Sequence, residues 1–241
     1  MILILGFLAP KMDLEYWRAF YLLRRPAGPV QMTNVTKLAE FNAGSMVLGP
    51  VEGMYGGAGF KASFKPAAQV ALPPMRIPWK VEASRYNGGA PGAKLALSVG
   101  GGESDVEAFV QRVDKMALEH IRTNAKKYFP TKKKVTVEDL FNPSLKESSD
   151  GSFDPVFRPK LTVGEENGSD VITTPLFYMQ DKEVLDPNVM LDKGALVTAV
   201  VVPSHVYAIN NTAGVTWKVT RAGLDGFAEA SSSTPVFDFG E

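Results

Sequence analysis

The clearest hydrophobic pattern of the chain lies in residues 193–222, KGALVTAVVVPSHVYAINNTAGVTWKVTRA. Its first run, Leu196–Val202, is almost entirely apolar and predicts a strand that is buried on both faces. We expect Pro203 and Ser204 to break this strand, because proline cannot donate to a sheet ladder. A second short run, Val206–Ile209, follows the break. The pattern is typical of a β-meander in a small twisted barrel.

A hairpin and a further strand complete this region. Residues 210–214, Asn-Asn-Thr-Ala-Gly, tolerate positive φ and predict the connection. Beyond it, apolar and polar residues alternate with a period of two, as in a strand with one buried face. We therefore expect Val215, Trp217 and Val219 in the core, and Thr216, Lys218 and Thr220 facing solvent or a ligand.

The remaining pattern predicts many short strands and one long helix. Apolar residues at three- and four-residue spacing predict the helix over about residues 103–129, and Val137–Phe141 predicts a short one. Further strands are predicted at Gln69–Leu72, Ile77–Ser84, Lys94–Val99, Val156–Val163 and Pro175–Gln180, and a glycine-rich loop at Gly53–Gly59. The fold class that follows is α+β, dominated by β-structure.

Three segments are predicted along the 241 residues: an N-terminal extension (1–31), one domain (32–224) and a flexible acidic C-terminal tail (225–241). The start, MILILGFLAP, is apolar for only ten residues before charges begin. A spanning helix needs about 20 apolar residues, and a signal peptide has positive charge ahead of its apolar run. We therefore favour an extension over a membrane or partner-binding helix.

Charge is balanced in number but not in position. The chain has 26 basic and 26 acidic residues, which is not the footprint of a protein that coats nucleic acid by bulk charge. The last four acids, Asp225, Glu229, Asp238 and Glu241, follow Arg221, so 26 bases stand against 22 acids in the preceding part. Cysteine is absent, which excludes disulfides and thiolate chemistry.

The residue types favour binding over catalysis. His120 and His205 fall in different predicted elements, and no His-x-x-x-His spacing, nucleophile elbow or acidic metal cluster occurs. The glycines of residues 53–59 do not complete a phosphate-binding loop. We expect no catalytic residue, no metal and no cofactor.

Four stretches carry a family resemblance: residues 193–219, LPPMRIPWKV at Leu72–Val81, the helix at 103–129, and VEDLFNPSLK at Val137–Lys146. Together they resemble the single-stranded-DNA-binding family of large eukaryotic double-stranded DNA viruses. The resemblance implies an elaborated OB-like barrel with one long inserted helix. It also implies a role in viral DNA replication, repair or packaging, at an intracellular viral replication site in the nucleus or cytoplasm, or in the virion.

Candidate contacts to a single strand of DNA or RNA combine aromatic platforms with positive charge. Most aromatic residues of a chain this size lie in the core, so a structural role is the alternative for each of them. The candidates in and beside the glycine-rich loop and the next turn are Tyr55, Phe60, Lys61, Lys65, Arg85 and Tyr86; the basic run after the helix adds Lys126, Lys127, Tyr128, Lys132, Lys133 and Lys134; the last strand adds Lys218.

The tail end, Phe237, Asp238 and Phe239, resembles the acidic-aromatic tips with which several replication single-strand binders recruit partners and compete with DNA. The alternative is an ordinary disordered tail. For the whole chain, the alternative function is that of a structural or assembly protein of the virion, whose barrel contacts protein. Oligomeric state and the choice between DNA and RNA stay open.

Overall fold

The computed structural model describes residues 35–57, 59–85, 90–100, 104–131, 136–147, 153–178 and 191–227. All of them belong to the unit of the chain that begins at Asn34. The strands are, in chain order, β1 (Val35–Lys37), β2 (Val47–Leu48), β3 (Glu52–Gly53), β4 (Phe60–Lys65), β5 (Gln69–Ala71), β6 (Met75–Arg76), β7 (Ser84–Arg85), β8 (Pro91–Lys94), β9 (Leu97–Ser98), β10 (Phe141–Asn142), β11 (Leu145–Lys146), β12 (Val156–Phe157), β13 (Lys160–Leu161), β14 (Val163–Glu166), β15 (Ser169–Ile172), β16 (Leu176–Tyr178), β17 (Ala195–Ile209) and β18 (Thr212–Phe227).

The helices are α1 (Ser104–Thr123), α2 (Ala125–Tyr128) and α3 (Val137–Leu140). Three 3-10 turns accompany them at Leu38–Glu40, Ala43–Ser45 and Tyr55–Gly57. The prediction of one long helix with a short one at Val137 is confirmed, as is the β-dominated α+β class. None of the helices in the described ranges is both long and apolar enough to cross a bilayer.

The antiparallel hairpin of β17 and β18 is the centre of the largest sheet. The edge of β17 that faces away from β18 pairs in turn with β6, β5 and β4. The edge of β18 that faces away from β17 pairs in turn with β16, β13 and β10, all parallel to it. Two smaller sheets, β11-β12-β9 and the hairpin β14-β15, stand beside it. The predicted hairpin is confirmed, with a turn at Asn210 and Asn211, and Asn210 has a φ of 55°.

The predicted break at Pro203 is wrong, because β17 continues through it. On its free edge, β17 pairs with β5 up to Val201 and with β4 from His205, so Pro203 lies between two partners. Opposite β18, Pro203 pairs with Trp217 and His205 with Thr216, so Ser204 is the extra residue of a bulge directly after the proline. Proline is tolerated in a strand at such a bulge, where a missing N–H costs no ladder bond.

Trp217 lies at the centre of the core between the hairpin and α1. It is 4% exposed, and its ring meets Phe109 of α1 and Phe157 of β12 edge to face, at centroid distances of 5.5 Å and 5.1 Å. Val219 is also buried, whereas Lys218 and Thr220 are exposed, as the alternation predicted. Thr216 departs from the alternation and is buried, and Val215 is half-buried and packs against the core.

The described pairings form an open path from β1 to β7 and do not close the sheet upon itself. The OB-like barrel therefore stays a prediction. The same holds for the domain boundaries at residues 31/32 and 224/225; β18 itself runs to Phe227.

Candidate functional site

Three lysines stand side by side on neighbouring strands. Lys160 of β13 is the register partner of Lys218 on β18 and of Lys94 on β8, and all three side chains are exposed. Neighbouring strands are about 4.8 Å apart, so this lysine row extends across the sheet for roughly 10 Å. Like charges placed directly opposite each other destabilise a sheet. The row is therefore an arrangement that an anion would stabilise.

In the part of the chain that the structure describes, no acid forms an ion pair with a lysine of this row. Among the described residues, the ion pairs are Lys80–Glu82, Arg85 with Glu165 and Asp170, and Arg122–Glu138, and none of them uses a lysine of the row. Partial desolvation lowers the pKa of Lys160, and the positive charges of Lys94 and Lys218 lower it further. The contributions of Lys94 and Lys218 have the direction expected for like charges placed close together.

A groove of about 440 Å³ runs beside the row. Its lining adds two more cations to Lys94 and Lys160 and also contains aromatic and apolar side chains. The cations are Lys94, Lys146, Arg158 and Lys160; the aromatic and apolar residues are Met54, Phe157, Tyr207, Ile209, Val215 and Trp217, of which Phe157 and Trp217 are buried. A cleft lined by cations and by apolar side chains fits a ligand that carries both phosphates and exposed ring faces.

His205 of β17 lies in the same groove and senses its charge. Burial lowers the pKa of its imidazole to about 4, and the positive charges of Lys61, Lys160 and Lys218 add to the effect. His205 is therefore neutral at pH 7. Lys146 behaves similarly: burial lowers its pKa, as do Arg158 and Lys94, while Asp114 opposes the change. The Lys146 ammonium also donates to the amide oxygen of Asn142.

A buried hydrogen-bond chain supports the floor of the groove. The Trp217 indole N–H donates to the Ser144 hydroxyl at 2.7 Å, and that hydroxyl donates to Asp114 at 2.6 Å. The Ser144 backbone N–H donates to the other carboxylate oxygen of Asp114 at 2.7 Å. Burial raises the pKa of Asp114, and the two bonds from Ser144 act against this. Asp114 thus fixes the segment that carries Asn142, Ser144 and Lys146 into the groove.

Some of the residues predicted from sequence meet at this groove. Lys218 belongs to the lysine row, and Lys61 is the register partner of Tyr207 in the groove wall. Tyr55 is fully exposed next to Met54, another wall residue. Phe60 is half-buried and packs against the core, and Lys65 is exposed at the end of β4, opposite Val47.

Arg85 is engaged elsewhere. Its guanidinium donates to both carboxylate oxygens of Asp170, at 2.7 Å and 2.6 Å, and to Glu165 at 3.2 Å. These bonds tie β7 to the acidic hairpin β14-β15. The positive charge of Arg85, which made it a candidate contact, is therefore balanced by two carboxylates. In this conformation the guanidinium has a structural role.

The basic run is split between surface and core. Lys126 and Lys127 are exposed on α2, but Tyr128 is 2% exposed, so it is not accessible as a stacking platform. Its ring meets His120 edge to face at 5.9 Å, and burial raises the pKa of its hydroxyl. The apolar face of α2 holds Tyr128 inward. The other predicted contacts lie outside the described residues: Tyr86, Lys132, Lys133, Lys134, Phe237, Asp238 and Phe239.

Sequence reasoning missed most of the groove's cations, namely Lys94, Lys146, Arg158 and Lys160. Each is one charge in a short strand or beside one, and no local cluster marks it. Lys94, Lys160 and Lys218 become neighbours only through the register of three strands that are far apart in sequence. One signal was available: Lys160 lies inside the predicted strand Val156–Val163, where a charged residue indicates a face exposed to solvent or a ligand.

Within the described ranges, no group of three or more His, Asp or Glu side chains is placed to hold a metal ion. Ser204 and His205 share a hydrogen bond of 3.1 Å, but they are neighbours in sequence on one strand. The expectation of a non-catalytic protein stays a prediction.

Comparison with known proteins gives the following. No protein-family model matches the chain, and no curated protein matches it. Among solved structures, the chain is similar to the single-stranded DNA-binding protein from bacteriophage Enc34 in complex with single-stranded DNA, at 14% identity and a TM-score of 0.43, over 76% of this chain and 97% of that chain. A second structure of that phage protein gives 13% identity and a TM-score of 0.42, over 79% and 96%. At these TM-scores the likeness assigns neither fold nor function to this chain.

Proposed function

We propose that this protein binds single-stranded nucleic acid, above all single-stranded DNA, in the groove beside the lysine row, and that it does so without catalysis. The observation that carries the proposal is the row itself, three lysines in register without a carboxylate partner in the described part of the chain. Such a row is unfavourable when empty and favourable under a chain of phosphates.

The aromatic and apolar residues of the groove favour binding of a single strand over binding of a duplex. A duplex shows a protein its phosphates and the edges of its bases, whereas a single strand also shows the faces of its bases. The groove pairs its cations with Tyr207, Ile209 and Met54, which suit such faces. Met54 continues into the exposed Tyr55 at the rim.

A salt series tests the proposal. Labelled single strands, the matching duplex and an RNA strand of the same sequence are titrated at several salt concentrations, with the wild-type protein and with the triple variant Lys94→Gln, Lys160→Gln, Lys218→Gln. Log affinity for the single strand should fall linearly with log salt, and the triple variant should reduce the slope by up to about three units. Absence of binding at low salt, or an unchanged slope in the triple variant, contradicts the proposal.

A matched control separates the row from general charge. The exposed lysines Lys37, Lys115 and Lys193 do not line the groove and are not among the candidate contacts. Their triple replacement by Gln changes net charge equally, and the proposal requires a smaller change of slope than for the row. The RNA arm decides between DNA and RNA preference.

We also propose that the β-rich core is an elaborated OB-like fold. What supports it is the long hairpin with three register shifts, which let a sheet coil strongly, and the insertion of α1 in mid-chain. An experimental structure tests this: strands that close around the core would agree with it, and an open sheet would not.

The sequence resemblance supports a biological setting, which we propose accordingly: replication, repair or packaging of viral DNA at intracellular replication sites or in the virion, with a replication protein bound through Phe237, Asp238 and Phe239. Labelling the protein and nascent DNA together in infected cells tests the setting. Replacement of both phenylalanines by Ala tests the tail, since it should abolish partner capture while leaving oligonucleotide binding unchanged.

A further inference from the structure

Trp79 is an exposed indole on a fixed support. Its side chain is 40% exposed, although Ile77 and Val81, two residues to either side, are buried. The backbone of Ile77 is bonded to Ala195 and Gly194 at 2.8 Å, and the N–H of Val81 donates to Leu191 at 2.9 Å. The chain thus anchors both flanks and bends between them, which leaves a large apolar ring in solvent. An indole held in this way presents a rigid aromatic surface to solvent.

Trp79 is connected to the groove by Arg158. The guanidinium carbon of Arg158 lies 4.9 Å from the centre of the indole ring, within the range of a cation–π contact. Arg158 is also a wall residue of the groove and precedes Lys160 by two positions, about 6.6 Å along an extended chain. The indole therefore stands beside one of the cations that line the groove.

We infer that Trp79 is the stacking platform for an unpaired base of the strand whose phosphates lie on the lysine row, with Arg158 as its positioning residue. The inference rests on the proposed function and adds the residue that makes the site prefer single strands. Phosphate contacts fix the position of a nucleic acid and do not by themselves select a single strand, because single strands and duplexes both present phosphate groups. A base face is accessible only in the single strand, and tryptophan and the guanidinium plane are both stacking surfaces for it.

The experiment compares an oligothymidylate with an abasic oligomer of equal length, which has the phosphates and lacks the bases. Trp79→Ala should weaken binding of the oligothymidylate by at least about fivefold, as loss of one stacked base does. Binding of the abasic oligomer should stay unchanged. Trp79→Phe should retain most of the affinity, since phenylalanine also stacks.

Fluorescence gives an independent readout that a merely structural role would not affect. Stacking of a base on Trp79 should quench tryptophan emission of the wild-type protein when the oligothymidylate binds. In Trp79→Phe, which keeps an aromatic ring at this position, the quenching should be reduced while binding persists. Trp17 and Trp217 stay in place in that variant, so the difference in quenching between the two proteins is the part carried by Trp79.

Phe153→Ala is the matched control, because it removes another exposed aromatic that does not line the groove. It should change neither affinity nor quenching. Equal loss on the oligothymidylate and the abasic oligomer in Trp79→Ala, or full quenching in Trp79→Phe, overturns the inference. The inference alone fails under one outcome: the wild-type protein binds the oligothymidylate, the triple variant of Lys94, Lys160 and Lys218 binds it more weakly, and Trp79→Ala binds it as well as the wild type does. If the wild-type protein binds neither oligomer, the proposed function fails as well.

Discussion

The indole nitrogen of Trp217 donates a hydrogen bond to the hydroxyl of Ser144 at 2.7 Å. The same hydroxyl donates to Asp114 on α1, which is 8% exposed. One serine thus joins the central hairpin to the long helix, across a core in which every other contact of Trp217 described above is apolar. Lys146, two residues further on, lines the groove, so the position of this serine also sets one of its cations.

Replacement of Ser144 by Ala should lower the free energy of unfolding by about 1–3 kcal/mol, because it leaves the indole N–H and one carboxylate oxygen buried without that partner. Urea unfolding followed by circular dichroism measures the change. Ser45→Ala is the control, since its hydroxyl bonds only to the nearby Asn42 carbonyl at an exposed position. Equal losses in the two variants would mean that the chain through Ser144 contributes no special stability.

Replacement of Lys160 by Gln should stabilise the unliganded protein while it weakens binding. It removes the middle charge of the lysine row and so relieves two like-charge contacts, a gain of a few tenths to about 1 kcal/mol at low salt. The gain should shrink as salt screens the row. Thermal unfolding at low and high salt measures it, with the exposed Lys115→Gln on α1 as control. A loss of stability at low salt would show that the row is not repulsive.

His205 should make stability depend on pH. Its folded-state pKa of about 4 lies below its ordinary value of 6.5, so the unfolded chain binds the proton more readily. The free energy of unfolding should therefore fall as pH decreases from 6.5 to 4, and the contribution should level off below that window. His205→Gln should flatten this dependence. Burial and Lys127 also lower the pKa of His120, which acts in the same direction, so the comparison is made in a His120→Gln background.

Binding of a polyanion should show the opposite dependence. Phosphates in the groove offset the charges of Lys61, Lys160 and Lys218 and so raise the pKa of His205 in the complex. Wild-type affinity for a single strand should therefore increase as pH falls from 6.5 to 4, at fixed salt. His205→Gln should lose this part of the increase. An unchanged pH profile would place His205 away from the bound phosphates.

Gly59 should be irreplaceable at the junction of β4 and β17. A Cβ there would lie 2.2 Å from the carbonyl oxygen of Ala208, and φ at this position is +156°. Gly59→Ala should cost about 1–3 kcal/mol, typical of overpacking against atoms that cannot retreat. Gly53→Ala is the control, because nothing lies within 4 Å of its Cβ position. Thermal unfolding compares the two, and similar melting temperatures would contradict the steric argument.

The sequence predicts the elements whose signal is local. The alternation around Trp217, the asparagine turn and the 3/4 spacing of α1 each follow from a few consecutive residues, and all three are observed. The prediction at Pro203 was wrong because a partner change and a bulge, both tertiary features, remove the penalty for proline. Tyr128 illustrates the same limit: its basic neighbours indicate a surface, but its own side of α2 faces the core.

The groove could not be derived in the same way. Lys94, Lys160 and Lys218 are separated by more than fifty residues each, and only strand order and register make them adjacent. Of the three, Lys218 was predicted, since it belongs to a strand with a clear exposed face. Arg85 and Arg158 show that charge in sequence does not predict charge at a surface: Arg85 is held by two acids, whereas Arg158 remains in the groove.

The hairpin of β17 and β18 has a consequence for the order in which the molecule assembles. Six strands pair with the two outer edges of the hairpin, and all six come before the hairpin in the chain. During synthesis, β4, β5, β6, β10, β13 and β16 therefore leave the ribosome before the strands that join them exist. Contacts of such large sequence separation form slowly, and unpaired edges are prone to aggregation meanwhile. A nascent chain that ends before Ala195 lacks the central strands of its sheet, and we expect it to depend on chaperones until the hairpin emerges.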